Sequence, residues 1–554
     1  MLSSTFVHRW LIPSILYVTG VVAVPASRSI SPSITLDKGT FEGVTDGVTN
    51  KFLGIPFAKP STGGLRFRLP VPNDAYTGSH LANVFGPSCP QQGSTLKLPG
   101  EVVTESISFV VNQVLNVVVP ESEDCLTLNV WAPASATSTD KLPVVAWIYG
   151  GGFQFGGTST YDGGVIVQRS IELGEPIIYV SMNYRISAFG FLASKEVKEA
   201  GVGNIGMQDQ RQALRWIQKY ITAFGGDPTK VTIWGESAGA ISVALHMVAN
   251  DGNNEGLFRG AFMESGSPIP VGDITNGQQD YDAIVQETGC TGAADTLECL
   301  RQVPFEILKA AVDQSPAIFS FQSLKLAWLP RADGTFITAP PQSLVQQGQV
   351  SSVPFVTGDC DDEGTLFATS SLNLTTDTEV RDYIKTVFLP NAPESDIDQL
   401  LTLYPSDVTK GSPFDTGDLN AITPQFKRIA AILGDVVFQA PRRFFLQQRA
   451  GKQNTWSFMS KRLKATPVLG SLHGSDLLNS YSGGDLTDYL VNFVNHLDPN
   501  GAGSVISWPQ YDATSSSPQI LTFLDGMEPE VITPDTFRQE AINFVIGLDL
   551  RNPE

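Results

Sequence analysis

The chain has 554 residues, a formal net charge of -20 and a pI near 4.7. Because nucleic acids bind proteins through basic surfaces that meet the phosphates, this acidic balance argues against a nucleic-acid partner. The length would allow about three or four domains, but no linker or repeat marks a boundary, so one large domain with insertions is expected.

Residues 1–26 are predicted to be a secretory signal peptide. A weakly basic start precedes an apolar run from Trp10 to Val24, with small residues at Ala23 and Ala26. The run is too short to span a bilayer comfortably, so we expect cleavage after Ala23 or Ala26 and secretion of residues 27–554. No later stretch approaches the roughly 18 consecutive apolar residues of a membrane span, which predicts no transmembrane segment in the mature chain.

A secreted protein folds in a compartment that permits disulfides. The five cysteines are Cys89, Cys125, Cys290, Cys299 and Cys360. If Cys360 is free, the other four allow three pairings, and their spacing does not choose among them. The sequon that begins at Asn373, in a polar loop, makes this residue a candidate glycosylation site.

The pattern of apolar residues predicts the fold class. Ser33 to Phe57 alternates polar and apolar residues around two turns, which indicates an antiparallel meander at the leading edge of a sheet. From Leu142 onward, six short apolar runs alternate with helical or loop stretches: 143–150, 176–185, 231–235, 260–265, 354–358 and 456–460. Runs buried on both faces indicate parallel strands. With predicted helices at Gln208–Ala223 and Asp435–Arg449, the pattern predicts an α/β fold with a large, mixed, mostly parallel central sheet flanked by helices.

Val231 to Ala249 carries the first candidate catalytic residue. The stretch runs from a β-branched strand through Gly235-Glu236-Ser237-Ala238-Gly239 into a segment of helix-forming residues that ends at Val248. A serine at such a turn needs an unusual backbone angle and little room on either side, which explains the two glycines. The turn would expose Ser237 Oγ beside the first N–H groups of the helix. The alternative is an ordinary glycine-punctuated turn with a helix-capping serine.

A second glycine motif, Gly201 to Gly206, matches the G-x-G-x-x-G pattern of dinucleotide sites but is not expected to bind a dinucleotide. Such a fingerprint must follow a strand, whereas Glu196 to Ala200 is charged and favours a helix. The sequence also contains no Walker loop, no H-E-x-x-H and no C-x-x-C motif. We therefore predict neither a cofactor nor a metal ion.

A nucleophilic serine requires a base, and one of the histidines fits best. The five histidines are His8, His80, His246, His473 and His496. His8 leaves with the signal peptide, and His246 follows Ser237 on the same predicted helix, about 13 Å along its axis. His80 precedes the serine, contrary to the serine, acid, histidine order of α/β-hydrolases, and His496 lies in a helix-like run. His473 lies in a loop after the sixth strand, where such sheets place catalytic groups; a solvent-facing loop histidine is the alternative.

The acid and the oxyanion-binding groups are less closely specified. The loop from Gly358 to Gly364 follows a strand and carries four carboxylates: Asp359, Asp361, Asp362 and Glu363. One of them would hold the tautomer of His473, and the others would be solvated loop acids or helix-start residues; physical reasoning alone does not choose. Gly150 to Gly152 ends another strand, and its N–H groups could approach a tetrahedral oxyanion. A flexible glycine turn is the alternative.

These motifs together resemble the type-B carboxylesterase/lipase family, which includes secreted yeast lipases, animal carboxylesterases and cholinesterases. The resemblance spans nearly the whole mature chain and implies an α/β-hydrolase domain over residues 27–554. It rests on Gly54–Lys59, Leu65–Phe67, Ser122–Val130, Gly150–Gly152, Asn183–Arg185, Gly203–Gln210, Gly235–Gly239, Glu264–Ser267, Asp362–Gly364 and the His473 loop.

The resemblance implies roles for individual residues. Ser237 would be the nucleophile, Glu363 the triad acid and His473 the base. The donors of the oxyanion hole would be the N–H groups of Gly151, Gly152 and Ala238. The implied reaction is the hydrolysis of neutral carboxylic esters through an acyl-enzyme, without a cofactor.

The resemblance also implies disulfides from Cys89 to Cys125 and from Cys290 to Cys299. The first would close a loop, residues 90–124, in which apolar residues fall at helical spacing: Ile107, Val110, Val111, Val114, Leu115 and Val118. This pattern resembles the amphipathic lid of the yeast lipases, which would contact a lipid–water interface; a buried helix or a strand is an equal alternative. Cholinesterases place a cation-binding tryptophan in this loop, and its absence here argues against a choline ester.

Two functions therefore remain. The first is a secreted serine hydrolase that acts on small-molecule or lipid esters, as a lipase or as a carboxylesterase. The second is a non-catalytic adhesion or binding protein of the same fold, as neuroligin-like relatives are. The presence of Ser237, Glu363 and His473 argues against the second.

Overall fold

A large mixed sheet is the centre of the computed structural model, which describes residues 31–93, 96 and 120–553. The strands in these residues are β1 Ser33–Leu36, β2 Lys38–Glu42, β3 Val44–Thr45, β4 Thr49–Pro56, β5 Thr77–Leu81, β6 Thr127–Pro133, β7 Leu142–Ile148, β8 Ile178–Met182, β9 Gly226–Glu236, β10 Gly260–Glu264, β11 Phe355–Cys360, β12 Thr455–Ser460, β13 Gln519–Phe523 and β14 Glu530–Pro534. Eleven of them form one sheet in the order β14-β13-β12-β11-β10-β9-β7-β8-β6-β4-β3, and β1, β2 and β5 form a second sheet.

The middle of the large sheet is parallel. β9 pairs in parallel with β7 and β10, β11 pairs in parallel with β10 and β12, and β8 pairs in parallel with β7. The antiparallel pairs lie at the two ends, where β14 meets β13 and where β6, β4 and β3 follow β8. All six predicted apolar runs overlap strands of this sheet, β7 to β12. The predicted α/β architecture with a mixed, mostly parallel sheet is confirmed.

The expected meander at Ser33–Phe57 is wrong in one respect. β1 pairs with β2 and β3 pairs with β4, both antiparallel, but only the second pair lies at the leading edge of the large sheet. β1 and β2 instead join β5 in the small sheet. The two pairs separate at Gly43, where a Cβ would lie 2.4 Å from the carbonyl oxygen of Lys51. Alternation of polar and apolar residues predicts strands but does not predict which sheet they join.

Helices flank the large sheet. The α-helices of the described residues are α1 Gly163–Glu172, α2 Ser187–Phe191, α3 Lys195–Glu199, α4 Ile205–Tyr220, α5 Ala238–Val248, α6 Gln278–Glu287, α7 Thr296–Gln302, α8 Phe305–Val312, α9 Pro341–Gln347, α10 Thr365–Ala368, α11 Asp377–Tyr383, α12 Glu394–Leu403, α13 Phe426–Gly434, α14 Ala440–Arg449, α15 Leu477–Ser480, α16 Asp485–His496 and α17 Gln539–Arg551. Two π-helical turns, Ile384–Phe388 and Asp435–Gln439, extend α11 and join α13 to α14. The two helices predicted at 208–223 and 435–449 correspond to α4 and to the second π turn with α14.

Both disulfides implied by the family resemblance are present. Cys89 is bonded to Cys125 and Cys290 to Cys299, and the remaining cysteine, Cys360, is buried and free. Asn373 of the candidate sequon is exposed. The predicted signal peptide and the apolar residues of the predicted lid, 107–118, lie outside the described residues.

A buried arginine joins the strands on one side of the sheet to the helix that covers them. Arg442 of α14 lies 2.9 Å from Asp359 of β11 and 3.0 Å from Asp535, which follows β14. All three side chains are completely buried. Arg443 lies 2.7 Å from the same Asp535. Because an ionised group is stable in a protein interior only when it is paired, the cluster fixes α14 against the ends of these strands.

Arg442→Met should destabilise the fold, because it leaves two carboxylates buried without this cation. Removing one partner of a buried ion pair costs about 3 to 5 kcal/mol, and we expect the free energy of unfolding, measured by denaturant titration, to fall by that amount. Lys59→Met is the matched control, since Lys59 and Asp74 are 39% and 90% exposed and exposed pairs contribute less than about 1 kcal/mol. Equal losses in the two variants would contradict this account.

Candidate active site

Ser237 lies in the predicted sharp turn between β9 and α5. Its φ of 56° and ψ of -126° lie outside the regions that residues with a side chain usually adopt. A Cβ at Gly235 would lie 2.4 Å from the carbonyl carbon of Gly239, and a Cβ at Gly239 would lie 1.9 Å from the carbonyl oxygen of Ile148. Steric contact therefore requires both glycines. Ser237 makes no capping hydrogen bond to the helix, so the alternative of an ordinary capping serine is wrong.

His473 lies between Ser237 and Glu363, in the loop that follows β12. Its Nε2 is 2.8 Å from Ser237 Oγ, and its Nδ1 is 2.5 Å from Glu363 Oε2. With the proton on Nδ1, the imidazole donates to the carboxylate and accepts from the hydroxyl. His473 is 6% exposed, so the alternative of a solvent-facing loop histidine is wrong.

The carboxylate of Glu363 accepts hydrogen bonds from three directions. Its Oε1 accepts from the N–H of Cys360 at 2.6 Å and from the hydroxyl of Ser265 at 2.7 Å, while Oε2 accepts from His473. Ser265 follows β10, and Cys360 ends β11. Two neighbouring strands therefore fix the side of Glu363 that faces away from the histidine.

The other three acids of the Gly358–Gly364 loop are not solvated, which corrects the expectation from the sequence. Asp359 pairs with Arg442, and Asp361 and Asp362 lie 2.5 and 2.7 Å from the Nζ of Lys464. All three are buried. Because these cations draw the other carboxylates elsewhere, Glu363 is the acid of this loop that contacts His473 in the described part of the chain.

Neighbouring acids control the charge of His473. Burial lowers the pKa of the imidazole, but the charge of Glu363 and its hydrogen bond, together with the neighbouring acids Glu236 and Asp476, outweigh burial, so the pKa lies above its ordinary value of 6.5. Glu236 Oε1 is also close, 3.4 Å from Nε2. Complete burial raises the pKa of Glu236 to about 8, so this second acid is mostly neutral at pH 7.

The glycine loop after β7 packs against Ser237. A Cβ at Gly150 would lie 2.8 Å from Cβ of Ser237, and Gly151 and Gly152 have φ values of 101° and 60° that favour glycine. Ala238, the first residue of α5, follows Ser237 directly. Within the residues that the structure describes, no hydrogen bond is made by the N–H groups of Gly151, Gly152 and Ala238. Such N–H groups can bind an oxyanion that forms at the serine.

The other side of His473 is apolar. The ring centroids of Phe438 and Phe367 lie 4.6 and 5.1 Å from the centroid of the imidazole. Both phenylalanines belong to a second apolar cluster, separate from the main core of the sheet. Next to Phe438, Val437 lines a cavity of about 70 Å³ in this cluster. Other residues of its wall are Ile384, Phe388, Leu400, Leu433 and Leu548.

The other sequence motifs lie elsewhere. His80 on β5 stacks on Phe41, His246 is buried and contacts Gln210, and His496 ends α16 beside Glu175. The G-x-G-x-x-G stretch, 201–206, follows helix α3. In residues 31–93, 96 and 120–553, no group of His, Cys, Asp and Glu is arranged to hold a metal ion, and no helix is long and apolar enough to cross a membrane.

Three polar residues of the site were not assigned a role from the sequence: Glu236, Ser265 and Asp476. Glu236 lies inside the serine motif, Ser265 directly follows a parallel strand, and Asp476 follows the histidine loop. Their positions beside recognised motifs are the signal that could have identified them. Which way a side chain points after a strand end is not visible in the sequence.

Comparisons with known proteins identify the family. The model of the Carboxylesterase family matches residues 30–544. Lipase 2 of Diutina rugosa is 43% identical over 534 residues, which cover 94% of this chain and 97% of that protein. A secreted triacylglycerol lipase of Gibberella zeae is 39% identical over 537 residues, covering 94% and 90%. The crystal structure of EstA from Aspergillus niger matches with a TM-score of 0.80 and 28% identity, covering 95% of this chain and 100% of that one. The chain therefore belongs to the carboxylesterase family and is a carboxylic ester hydrolase with the α/β-hydrolase fold.

Proposed function

We propose that the protein is a secreted lipase that cleaves neutral carboxylic esters with Ser237, His473 and Glu363. The observation that carries this proposal is the pair of contacts at His473, 2.8 Å to the serine oxygen and 2.5 Å to the carboxylate. A base within hydrogen-bond reach of a hydroxyl, and itself oriented by an acid, is the arrangement that activates serine for attack.

The reaction proceeds in two acyl transfers. His473 takes the proton of Ser237 as Oγ attacks the ester carbonyl carbon, and Glu363 stabilises the imidazolium. The tetrahedral oxyanion accepts hydrogen bonds from the N–H groups of Gly151, Gly152 and Ala238. His473 then gives the proton to the alcohol, the alcohol departs, and an acyl-enzyme remains. Water repeats the attack and releases the carboxylic acid.

A lipid ester is a better candidate substrate than a short-chain ester. Two of the relatives above are named as lipases, one of them as a secreted triacylglycerol lipase. The cavity that Val437 lines has mainly aliphatic side chains in its wall. Because each buried methylene contributes about 0.8 kcal/mol, an acyl chain long enough to reach this cavity would gain binding energy that an acetyl group would not. Secretion is proposed from the predicted signal peptide at residues 1–26.

Ser237→Ala should abolish hydrolysis, since no other group supplies the attacking oxygen in this proposal. We expect kcat on a soluble chromogenic ester to fall by about a millionfold, as in other serine hydrolases that lose their nucleophile. Ser516→Ala, at an exposed serine, is the matched control. Full activity of Ser237→Ala would contradict the assignment. A folded, inactive wild-type chain would instead favour the non-catalytic binding protein.

Glu363→Gln should slow the reaction and shift its pH dependence. The amide stabilises the wrong tautomer of His473, and comparable changes lower kcat by about ten-thousandfold. The carboxylate raises the pKa of His473, so its removal should move the acid limb of the kcat/KM profile to lower pH. Glu394→Gln is the control, because Glu394 is 59% exposed and pairs with Arg381. A limb that stays in place in Glu363→Gln would count against the role of Glu363.

Val437→Phe should change the preference for acyl-chain length. Val437 is partly buried at the wall of the apolar cavity, so the larger ring would occupy space that a long chain needs. We expect kcat/KM for a C12 to C16 ester to fall about tenfold or more relative to that for a butyryl ester. Val505→Phe is the control, since Val505 is 59% exposed. If the preference for chain length is unchanged in Val437→Phe, this cavity does not bind the acyl chain.

A further inference from the structure

Four carboxyl groups are buried close together, three of them beside the imidazole of His473 and the fourth, Glu264, beside Asp476 and Glu236. They belong to Glu236, Glu264, Glu363 and Asp476, and each is completely or almost completely buried. In the proposed reaction, His473 is the cationic partner of Glu236, Glu363 and Asp476. Because like charges at this spacing cannot all persist in a dry interior, some of the four must hold a proton.

Ser265 connects two of these carboxyl groups. Its Oγ lies 2.7 Å from Oε1 of Glu363 and 3.4 Å from Oδ2 of Asp476. A hydroxyl has one proton to donate and lone pairs to accept with. If Ser265 donates its proton in the shorter contact, to Glu363, it has none left for Asp476. The contact between Ser265 and Asp476 is then a hydrogen bond only when Asp476 is protonated and donates.

The partners of the two acids indicate which one is protonated. Glu363 accepts from Cys360, Ser265 and His473, so both of its oxygens are satisfied. Oδ1 of Asp476, in contrast, is buried and has no hydrogen-bond partner within the described residues. A buried carboxylate with so few donors is unfavourable, whereas a neutral acid tolerates the same surroundings.

We propose that Asp476 is a positioning residue that carries a proton and donates it to Ser265, so that Ser265 donates its own proton to Glu363. The chain Asp476, Ser265, Glu363 then fixes the carboxylate that orients His473. A neutral Asp476 also adds no second negative charge beside the imidazole. This inference rests on the proposed roles of Glu363 and His473.

The groups that face Asp476 support this protonation state. They are Glu236, Glu264, Asp359, Cys360, Glu363 and His473. Burial comes first and the charge of Glu363 second in raising the pKa of Asp476 to about 7, while His473, the backbone N–H of Asp476 and the thiol of Cys360 act in the opposite direction. Asp476 therefore holds its proton below neutral pH and loses it as the pH rises.

Substitutions at Asp476 test the proposal, because an amide can replace the proton donor whereas a methyl group cannot. Asp476→Asn should retain most of the wild-type kcat. Asp476→Ala should lower kcat by about tenfold, which is the effect expected from the loss of one hydrogen bond. In the Ser265→Ala background, Asp476→Ala should have no further effect, since Asp476 acts through Ser265. Unfolding temperatures of all variants establish that they are folded.

The pH profile separates a protonated Asp476 from an ionised one. If Asp476 is neutral, Asp476→Asn leaves the acid limb of kcat/KM in place. A shift of that limb to lower pH by about one unit or more would mean that an ionised Asp476 raises the pKa of His473 in the wild type, and would overturn the proposal. Equal activities of folded Asp476→Asn and Asp476→Ala would also overturn the proposal. Ser237→Ala is assayed in parallel, because its full activity would overturn the proposed triad itself.

Discussion

The hydrogen bond between His473 and Glu363 joins two loops that are 110 residues apart in the chain. It can form because β11 and β12 are neighbouring parallel strands whose carboxyl ends meet at the same edge of the sheet. Asp362 strengthens the junction, since its N–H donates to Ser471 and its carboxylate accepts from the N–H of the same residue. The parallel register therefore aligns Glu363 with His473 before any substrate is present.

The serine reaches this pair by a different means. β9 is two strands away from β11, and β10 lies between them, so the hydroxyl must be raised out of the sheet to meet the imidazole. The strained backbone of Ser237 achieves this, and the close approach of Gly150 and Gly239 prevents relaxation. β10 also contributes to the site, because Ser265 at its end donates a hydrogen bond to Glu363. Four consecutive strand ends thus contribute to one site.

Much of this arrangement could be predicted from the sequence, for identifiable reasons. The six apolar runs and the turn around Ser237 are local features, and the shortage of histidines left His473 as the best base. The choice of Glu363 needed the family resemblance, because four acids share one short loop and the residues that divide them, Arg442 and Lys464, come from distant segments. Ser265 and Asp476 had no pattern that distinguished them, since their roles depend on side-chain direction. The separate sheet of β1 and β2 was missed for the same non-local reason.

His473 lies on a boundary between two environments, and this boundary bears on substrate and product alike. Acidic groups lie on one side, and Phe367 and Phe438 lie on the other. An uncharged ester can approach such a site without electrostatic cost, whereas an anion would be repelled by Glu363 across a poorly solvated region. In the proposed reaction, hydrolysis at Ser237 converts a neutral ester into an acid that ionises in water. In this proposed mechanism, the charge of Glu363 that stabilises the imidazolium also opposes rebinding of the carboxylate product, so the same acid would serve both turnover and product release.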